Sequence, residues 1–391
     1  MPCCGRQGRL FGVLDYSDDF CNSWHSARIG FFSMSVRAPQ LSQPVLCIHP
    51  LAGSWSDRWL NACSQRKVPV LKLDLFGSDA FTLVRESGVR AIMLDLPLQN
   101  GQRLQSARHL VRAFELMGLQ VFPTESVYWH YEDKLAQHFL FESLQIPTCP
   151  TWVFFDARDA LAWAQETTYP KVWKLKTGAS SSNVRLVRSR EQARALILRA
   201  FGRGFSPVPR LLDDFNTKLY KHKKEKDWPR ALRRLPQTVK NILTSRRAVP
   251  LERGYAFFQE FLPGNNYDTR VTVIGERAFA FRRFVRPDDF RASGSGRIDW
   301  DPSAIDLDCI RLAFNSAAKI GSQCLAFDII YDTERNLVIL EVSSRFVAEL
   351  VERCPGYWDR NLSFHEGRIW PQDAILDDVL ARLHPATANL S

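Results

Sequence analysis

The chain has 391 residues with a net charge of +10, and its 45% hydrophobic and 24% charged content is ordinary for a soluble globular protein. This length allows two or three domains with sizeable cores, and the lack of any run of about 18 apolar residues argues against a membrane span. The nine cysteines form no CxxC pair and have no histidine at metal-ligand spacing. This pattern argues against a secreted disulfide scaffold, and we expect a cytoplasmic protein.

Residues 1–42 match no element pattern and lack the apolar core of a secretory signal, so a disordered leader is expected there. A compact α/β domain is predicted over 43–128. Its expected elements are strands at 44–49, 68–74, 90–97 and 119–123 and a helix at 106–117. Strands that alternate with helices indicate a mostly parallel sheet.

A second unit is predicted over 129–202. It begins with an amphipathic helix at 132–144, followed by strands at 151–155 and 171–176. Asp156 suits the N-cap of the next helix, and Ser189 with Gln192 forms a capping box that opens another.

The segment 203–254 carries nearly all of the excess positive charge. Between Arg203 and Arg253 there are fourteen Lys and Arg against five Asp and Glu, an excess of nine. Tyr220 and Trp228 lie among these basic residues, which is typical of backbone contacts with nucleic acid or another acidic polymer. The segment is therefore predicted to be either a docking patch for such a polymer or a flap over a substrate.

The last unit, 255–391, combines strands and helices. Strands are expected at 255–261, 270–274 and 278–285, helices at 306–319 and 372–383, and a β-hairpin at 325–342. The turn residues Asp332–Asn336 lie at the centre of the hairpin, so Asp328 and Glu341 should face each other with Cβ atoms roughly 5 Å apart. Two opposed acids among apolar residues repel each other unless a cation lies between them, and hard oxygen ligands suit Mg²⁺ held with phosphates. The alternative is a solvated sheet edge.

Three further patterns favour a phosphate-bearing ligand. Strand alternation places Lys174 and Lys176 on one face, ahead of the small-residue loop 177–183, whose backbone N–H groups suit phosphate oxygens. The alternative for this strand is a basic edge strand followed by a flexible turn. The apolar strand that ends at Gln259–Leu262 leaves main-chain groups suited to an adenine edge. The arginine-rich stretch 282–297 includes Arg283 and Arg291, whose planar guanidinium groups suit a γ-phosphate or an acyl-phosphate. A solvated basic face is the alternative for this stretch.

In this order, these pieces resemble the ATP-grasp superfamily, and in particular the ribosomal-protein glutamate ligases (RimK-like carboxylate–amine ligases). The resemblance covers about 129–342, and the domain before it looks like the Rossmann-like pre-ATP-grasp domain of that superfamily. The motifs F-R-A-S-G-S-G (290–296) and C-P-G-Y-W-D-R-N-L-S-F-H-E-G (354–367) are especially similar to uncharacterised bacterial members. The implied fold class is α/β and α+β: an ATP-grasp fold with that N-terminal domain.

The resemblance also implies roles for individual residues. ATP contacts fall on a set from both predicted units: Lys134, Lys174, Gln259, Glu260, Phe261, Leu262, Asp268 and Ser293. Catalytic positions fall on Arg291 and Arg283, and Mg²⁺ ligands on Asp328, Glu341 and Ser343. Two positions depart from the family pattern, because Ser293 and Ser343 stand where an asparagine is usual, which puts the third metal ligand in doubt.

The expected function is an ATP-dependent, Mg²⁺-dependent ligase that joins a carboxylate to an amine through an acyl-phosphate. Two alternatives are an acidic-polymer or nucleic-acid binding protein and an ATP-binding scaffold without catalysis. The sequence does not identify the carboxylate, the amine or the oligomeric state.

Overall fold

The computed structural model describes residues 45–95, 101–177, 183–206, 251–285 and 296–383, with backbone only at 101–104. The expected leader, most of the basic segment, Arg291, Ser293 and the centre of the small-residue loop lie outside the described residues. No described helix is long and apolar enough to cross a membrane.

The first unit is a four-stranded parallel sheet with the order β2-β1-β3-β4. Its elements are β1 (Leu46–Ile48), α1 (Trp55–Gln65), β2 (Val70–Lys72), α2 (Ala80–Ser87), β3 (Ala91–Met93), α3 (Gly101–Leu116) and β4 (Gln120–Phe122). The predicted strands and their parallel arrangement are confirmed. The helices α1 and α2 were not predicted, and α3 begins five residues before the predicted start.

The second sheet is antiparallel and follows two helices, α4 (Glu125–Tyr128) and α5 (Lys134–Ser143). It contains β5 (Thr151–Phe154), β6 (Lys171–Lys174), β7 (Val184–Val187) and β8 (Ala256–Glu260) in the order β5-β8-β6-β7, with α6 (Ala157–Glu166) and α7 (Arg190–Phe201) between its strands. The side chains of Asp156 and Ser189 accept hydrogen bonds from the first turns of α6 and α7, so both predicted caps are confirmed. β8 falls in the last predicted unit by sequence, yet it pairs with β5 and β6.

The third sheet has seven strands in the order β13-β12-β9-β10-β14-β15, with β11 beside β10. Its strands are β9 (Tyr267–Ile274), β10 (Arg277–Phe284), β11 (Ile298–Asp299), β12 (Cys324–Tyr331), β13 (Leu337–Ser343), β14 (Gly356–Trp358) and β15 (Phe364–Glu366). The helices are α8 (Leu307–Ile320), α9 (Ala348–Glu352) and α10 (Pro371–Leu383). The predicted helices at 306–319 and 372–383 correspond to α8 and α10, and the predicted hairpin to β12 and β13.

Strand alternation divides the third sheet into a face that packs on α8 and a face of mixed character. Alternate apolar residues of β9, β10 and β12, such as Val271, Ala280 and Phe327, pack with α8 in one core. On the other face, Phe279, Phe281 and Ala326 pack with α1 and α10 in a second core. Further along the strands, on this second face, charged residues occupy the alternate positions that follow the apolar ones. The charged end of the face is where the candidate site lies.

Candidate functional site

A cavity lies between the second and third sheets. Residues from α5, β5, β6, β8 and β13 line it: Lys134, Gln137, His138, Phe141, Thr148, Thr151, Lys174, Phe257, Gln259 and Leu340. Two of the predicted lysines and one predicted hinge residue are therefore brought together, although they come from three separate elements.

Lys174 is buried at the end of β6. Its ammonium donates to Gln259 Oε1 at 2.5 Å, and Gln259 Nε2 in turn donates to Thr151 Oγ1 at 3.1 Å. Burial lowers the pKa of Lys174 below that of an ordinary lysine, and the nearby positive charge of Lys134 adds to this, although Glu341 opposes it. The group is held as a poorly solvated cation, which is the state that an anionic ligand would stabilise.

Lys134 is the first residue of α5. Its Nζ lies 3.4 Å from Glu341 Oε1 on β13, so it joins the helix to the third sheet. Burial alone would lower its pKa, but Glu341, Glu132 and Glu252 outweigh that effect and raise it above the ordinary value. The two buried lysines of the cavity therefore have pKa values that shift in opposite directions.

The strand register confirms that the two predicted carboxylates face each other. Asp328 on β12 lies directly opposite Glu341 on β13, with a register shift immediately after Asp328. Ser343 lies opposite Ala326, two residues along β13, so it shares the face of Glu341.

The cations that face these two acids in the structure are side chains of the protein itself. The two oxygens of Asp328 accept from Arg270 Nε at 2.6 Å and Arg270 Nη2 at 2.8 Å, and Arg283 Nη2 lies 2.7 Å from Oδ2. Although burial opposes ionisation, these arginines lower the pKa of Asp328 below its usual range. Side-chain cations therefore already balance the acids in this structure.

The residues nevertheless fit Mg²⁺. Within the described part of the chain, no three His, Cys, Asp or Glu side chains gather as a metal site. Mg²⁺ does not need such a cage, because proteins often bind it through one or two carboxylates together with substrate phosphates. Opposed carboxylate oxygens beside buried lysines match that donor set, so the assignment of Asp328, Glu341 and Ser343 stays a prediction.

Arg283 connects Asp328 to a second predicted residue. Its Nε and Nη2 donate to the two oxygens of Asp268 at 2.7 and 2.6 Å. All three side chains are buried, with 6% of Asp268 and 8% each of Arg283 and Asp328 exposed. Burial raises the pKa of Asp268, while the charge of the two carboxylates raises that of Arg283. Arg270, Arg283, Asp268 and Asp328 thus form one network of alternating charge, hereafter the arginine–aspartate network.

The predicted adenine hinge begins where β8 ends. Glu260 is the last residue of the strand, and Phe261 and Leu262 follow it. The Glu260 side chain is paired with Lys171, whose Nζ lies 2.8 Å from Oε2 and 5.2 Å from the centre of the Trp152 ring. Any adenine contact at Glu260 would therefore come from its main chain.

Two candidate functional residues, Lys171 and Glu252, were missed by the sequence analysis, and the partner of Arg345 was not predicted. Lys171 neutralises Glu260, Glu252 accepts hydrogen bonds from the first residues of the small-residue loop, and Arg345 pairs with Asp95 at 2.8 Å. The register between β6 and β8 could have revealed only the first. The contacts of Glu252 and Arg345 join residues 76 and 250 positions apart, for which a single sequence holds no signal.

A scan of protein-family models and a search of curated proteins returned no match. Solved structures do match. A biotin carboxylase from Campylobacter jejuni, in complex with β,γ-ATP, has a TM-score of 0.50 and 12% identity over 86% of this chain and 70% of that chain. The ATP-grasp ligase PsnB, in complex with a minimal precursor, has a TM-score of 0.50 and 13% identity over 87% and 99%.

A RimK domain ATP-grasp protein from Sphaerobacter thermophilus DSM 20745 gives a TM-score of 0.48 and 16% identity over 86% of this chain and 99% of that chain. The fold assignment depends on the two structures with a TM-score of 0.50. Their sequence identities are low, so they establish the architecture of this chain and not its activity. The predicted resemblance is confirmed at that level: the chain has an ATP-grasp fold, preceded by a parallel α/β domain.

Proposed function

We propose that the protein is an ATP-dependent carboxylate–amine ligase. The observation that carries the proposal is the contact of Lys134 Nζ with Glu341 Oε1 at 3.4 Å. It joins the two lysines that line the cavity, Lys134 and Lys174, to the strand pair on which Glu341 lies opposite Asp328. The names of two neighbours support the class: one solved structure is a biotin carboxylase in complex with β,γ-ATP, and another is an ATP-grasp ligase in complex with a minimal precursor.

In the proposed reaction, an oxygen of the substrate carboxylate attacks the γ-phosphorus of ATP. The bond from that phosphorus to the bridging oxygen breaks, and ADP leaves with the electron pair. An amine then attacks the acyl carbon, the bond from this carbon to the phosphate oxygen breaks, inorganic phosphate leaves, and the nitrogen loses a proton as the amide forms.

The residues of this chain act by position and charge. Lys174 and Lys134 bind phosphate oxygens from buried positions, where an ion pair is stronger than in water. Gln259 orients the Lys174 ammonium through its 2.5 Å contact. Arg283, held by two carboxylates, presents a fixed positive charge to the transferred phosphoryl group. Asp328, Glu341 and Ser343 would hold Mg²⁺, which when bound neutralises phosphate charge.

The decisive test is Glu341→Gln. We expect ADP release to fall roughly 100-fold or more, because the substitution removes an anionic oxygen ligand and the ion pair of Glu341 with Lys134. The fold should persist, because 28% of the Glu341 side chain is exposed. ADP release is measured over a panel of amino acids, sugar acids and peptides, with Mg²⁺ varied.

The matched control is Glu334→Gln, at an exposed position in the turn of the same hairpin. It removes the same charge from the same element without entering the cavity, so ADP release should equal that of the wild type. Normal ADP release by Glu341→Gln would refute the metal assignment.

ATP affinity should depend on the pKa of Lys174. Phosphates bind the charged ammonium, and burial lowers the pKa of this group in the free protein. Affinity is therefore full at pH values below that lowered pKa and falls as the pH rises through it, at a lower pH than an ordinary lysine would give. Lys134 has a raised pKa and keeps its charge over that range.

Calorimetric titration with a non-hydrolysable ATP analogue from pH 7 upward measures this dependence. The matched variant is Lys174→Arg, whose guanidinium stays charged throughout, and its affinity should lose the alkaline decline. The same decline in both proteins would assign it to another group.

A further inference from the structure

Glu252 is a buried carboxylate with an unusual number of donors. Only 5% of it is exposed, yet it accepts hydrogen bonds from the backbone N–H of Lys176 at 3.0 Å and of Thr177 at 3.2 Å. The hydroxyls of Thr177 and Tyr255 also donate to it. Two backbone and two side-chain donors thus converge on one carboxylate.

Three of these four donors belong to Lys176 and Thr177, where the small-residue loop begins. Lys176 follows Lys174 by two residues, and its N–H also donates to the Tyr255 hydroxyl at 2.8 Å. The carbonyl of Lys176 accepts from the backbone N–H of Lys134 at 2.9 Å. One residue therefore connects the Glu252 carboxylate to the first residue of α5, and both cavity lysines lie within two residues of this connection.

The backbone of Glu252 is fixed as firmly as its side chain. Glu252 and Phe205 exchange two backbone hydrogen bonds, each of 2.9 Å. Gly204, with φ of +73°, permits this approach, since a Cβ there would lie 2.8 Å from the Glu252 carbonyl oxygen. This pair of backbone hydrogen bonds joins the two described ends of the basic segment, and the side chain of Glu252, on the C-terminal end, reaches the small-residue loop.

We propose that Glu252 is a positioning residue for nucleotide binding, holding Lys176 and Thr177 so that Lys134 and Lys174 meet the phosphates. This inference rests on the proposed ATP-dependent function. The competing interpretation is that Glu252 occupies a phosphate site and must be displaced by ATP.

The burial and the four donors favour a permanent contact. Displacement would leave a buried carboxylate without partners, which is strongly unfavourable. A competitor would weaken nucleotide binding, whereas a positioning residue strengthens it, so the two interpretations predict opposite signs.

The experiment compares Glu252→Gln with the wild type in two measurements. We expect ADP and a non-hydrolysable ATP analogue to bind about tenfold more weakly or worse, the loss typical of a charged hydrogen bond. In the unliganded protein, hydrogen exchange of the amides of Lys134, Lys176 and Thr177 should become at least about tenfold faster. Glu166→Gln, an exposed position at the end of α6, should change neither quantity.

Tyr255→Phe and Thr177→Val test the same contact with the carboxylate charge intact. Each removes one hydroxyl donor, and each should give a smaller change of the same sign in affinity and in exchange. These variants decide the matter even where Glu252→Gln does not fold.

Tighter nucleotide binding by Glu252→Gln would show that Glu252 competes with the phosphates and would overturn the proposal. Unchanged affinity together with unchanged hydrogen exchange would also overturn it. A wild-type protein that binds no nucleotide would refute the proposed ligase function instead. In that case accelerated exchange in the variants would still show that Glu252 holds this part of the chain.

Discussion

Replacing Lys174 with methionine should remove most of the affinity for ATP while the fold persists. The loss of one partner from a buried, hydrogen-bonded charge pair is worth about 2–5 kcal/mol, which corresponds to roughly 30-fold to several-thousand-fold weaker binding. Stability should change by less than about 2 kcal/mol. The Gln259 oxygen loses its donor, at a cost of about 1–3 kcal/mol, but the protein no longer buries an ammonium.

Calorimetry with the ATP analogue and denaturant unfolding measure the two quantities. The control is Lys72→Met, at an exposed position on β2, which removes the same charge outside the cavity and should bind as the wild type does. If Lys174→Met binds the nucleotide normally, Lys174 is not a phosphate ligand and the proposed function loses its main support.

Asp328→Ala should be the most destabilising single substitution in the site. The arginine–aspartate network would then hold Arg270 and Arg283 against a single remaining carboxylate, Asp268. Breaking a buried ion pair by removing one partner costs about 3–5 kcal/mol, because the remaining charge is buried without compensation. We therefore expect the free energy of unfolding to fall by about that amount.

This expectation has a defined pH dependence. The two arginines lower the pKa of Asp328, so the stabilisation is complete at neutral pH and is lost as the pH falls through the lowered pKa. Urea unfolding at pH 7 measures the difference, and Glu334→Ala, in the turn of the same hairpin, should stay within about 0.5 kcal/mol of the wild type. A similarly small effect of Asp328→Ala would mean that the network does not contribute to stability in solution.

Asp328→Ala and Glu341→Gln separate the two roles of the carboxylate pair. Asp328 forms ion pairs with two arginines. Glu341 is partly exposed, and among the described residues its ion pair is with Lys134. Loss of activity in Asp328→Ala would therefore mix binding with stability. Glu341→Gln is the cleaner test of the metal.

The sequence by itself determined the local structure of the site. The turn at 332–336 sets the hairpin register, so Asp328 and Glu341 face each other as predicted. The caps at Asp156 and Ser189 begin α6 and α7, because a side-chain oxygen and the N–H groups that it accepts lie within three residues. Such contacts depend on neighbouring residues alone, so a single sequence contains them.

Only the tertiary structure decided which charges meet. It places Arg270 and Arg283 on Asp328, joins Lys134 to Glu341, and brings Glu252 to Lys176 across 76 residues. It also moves β8 into the sheet of the preceding unit. These contacts depend on strand order and on the approach of separate elements, and in one sequence an arginine that faces a buried acid has the same pattern as one that faces water.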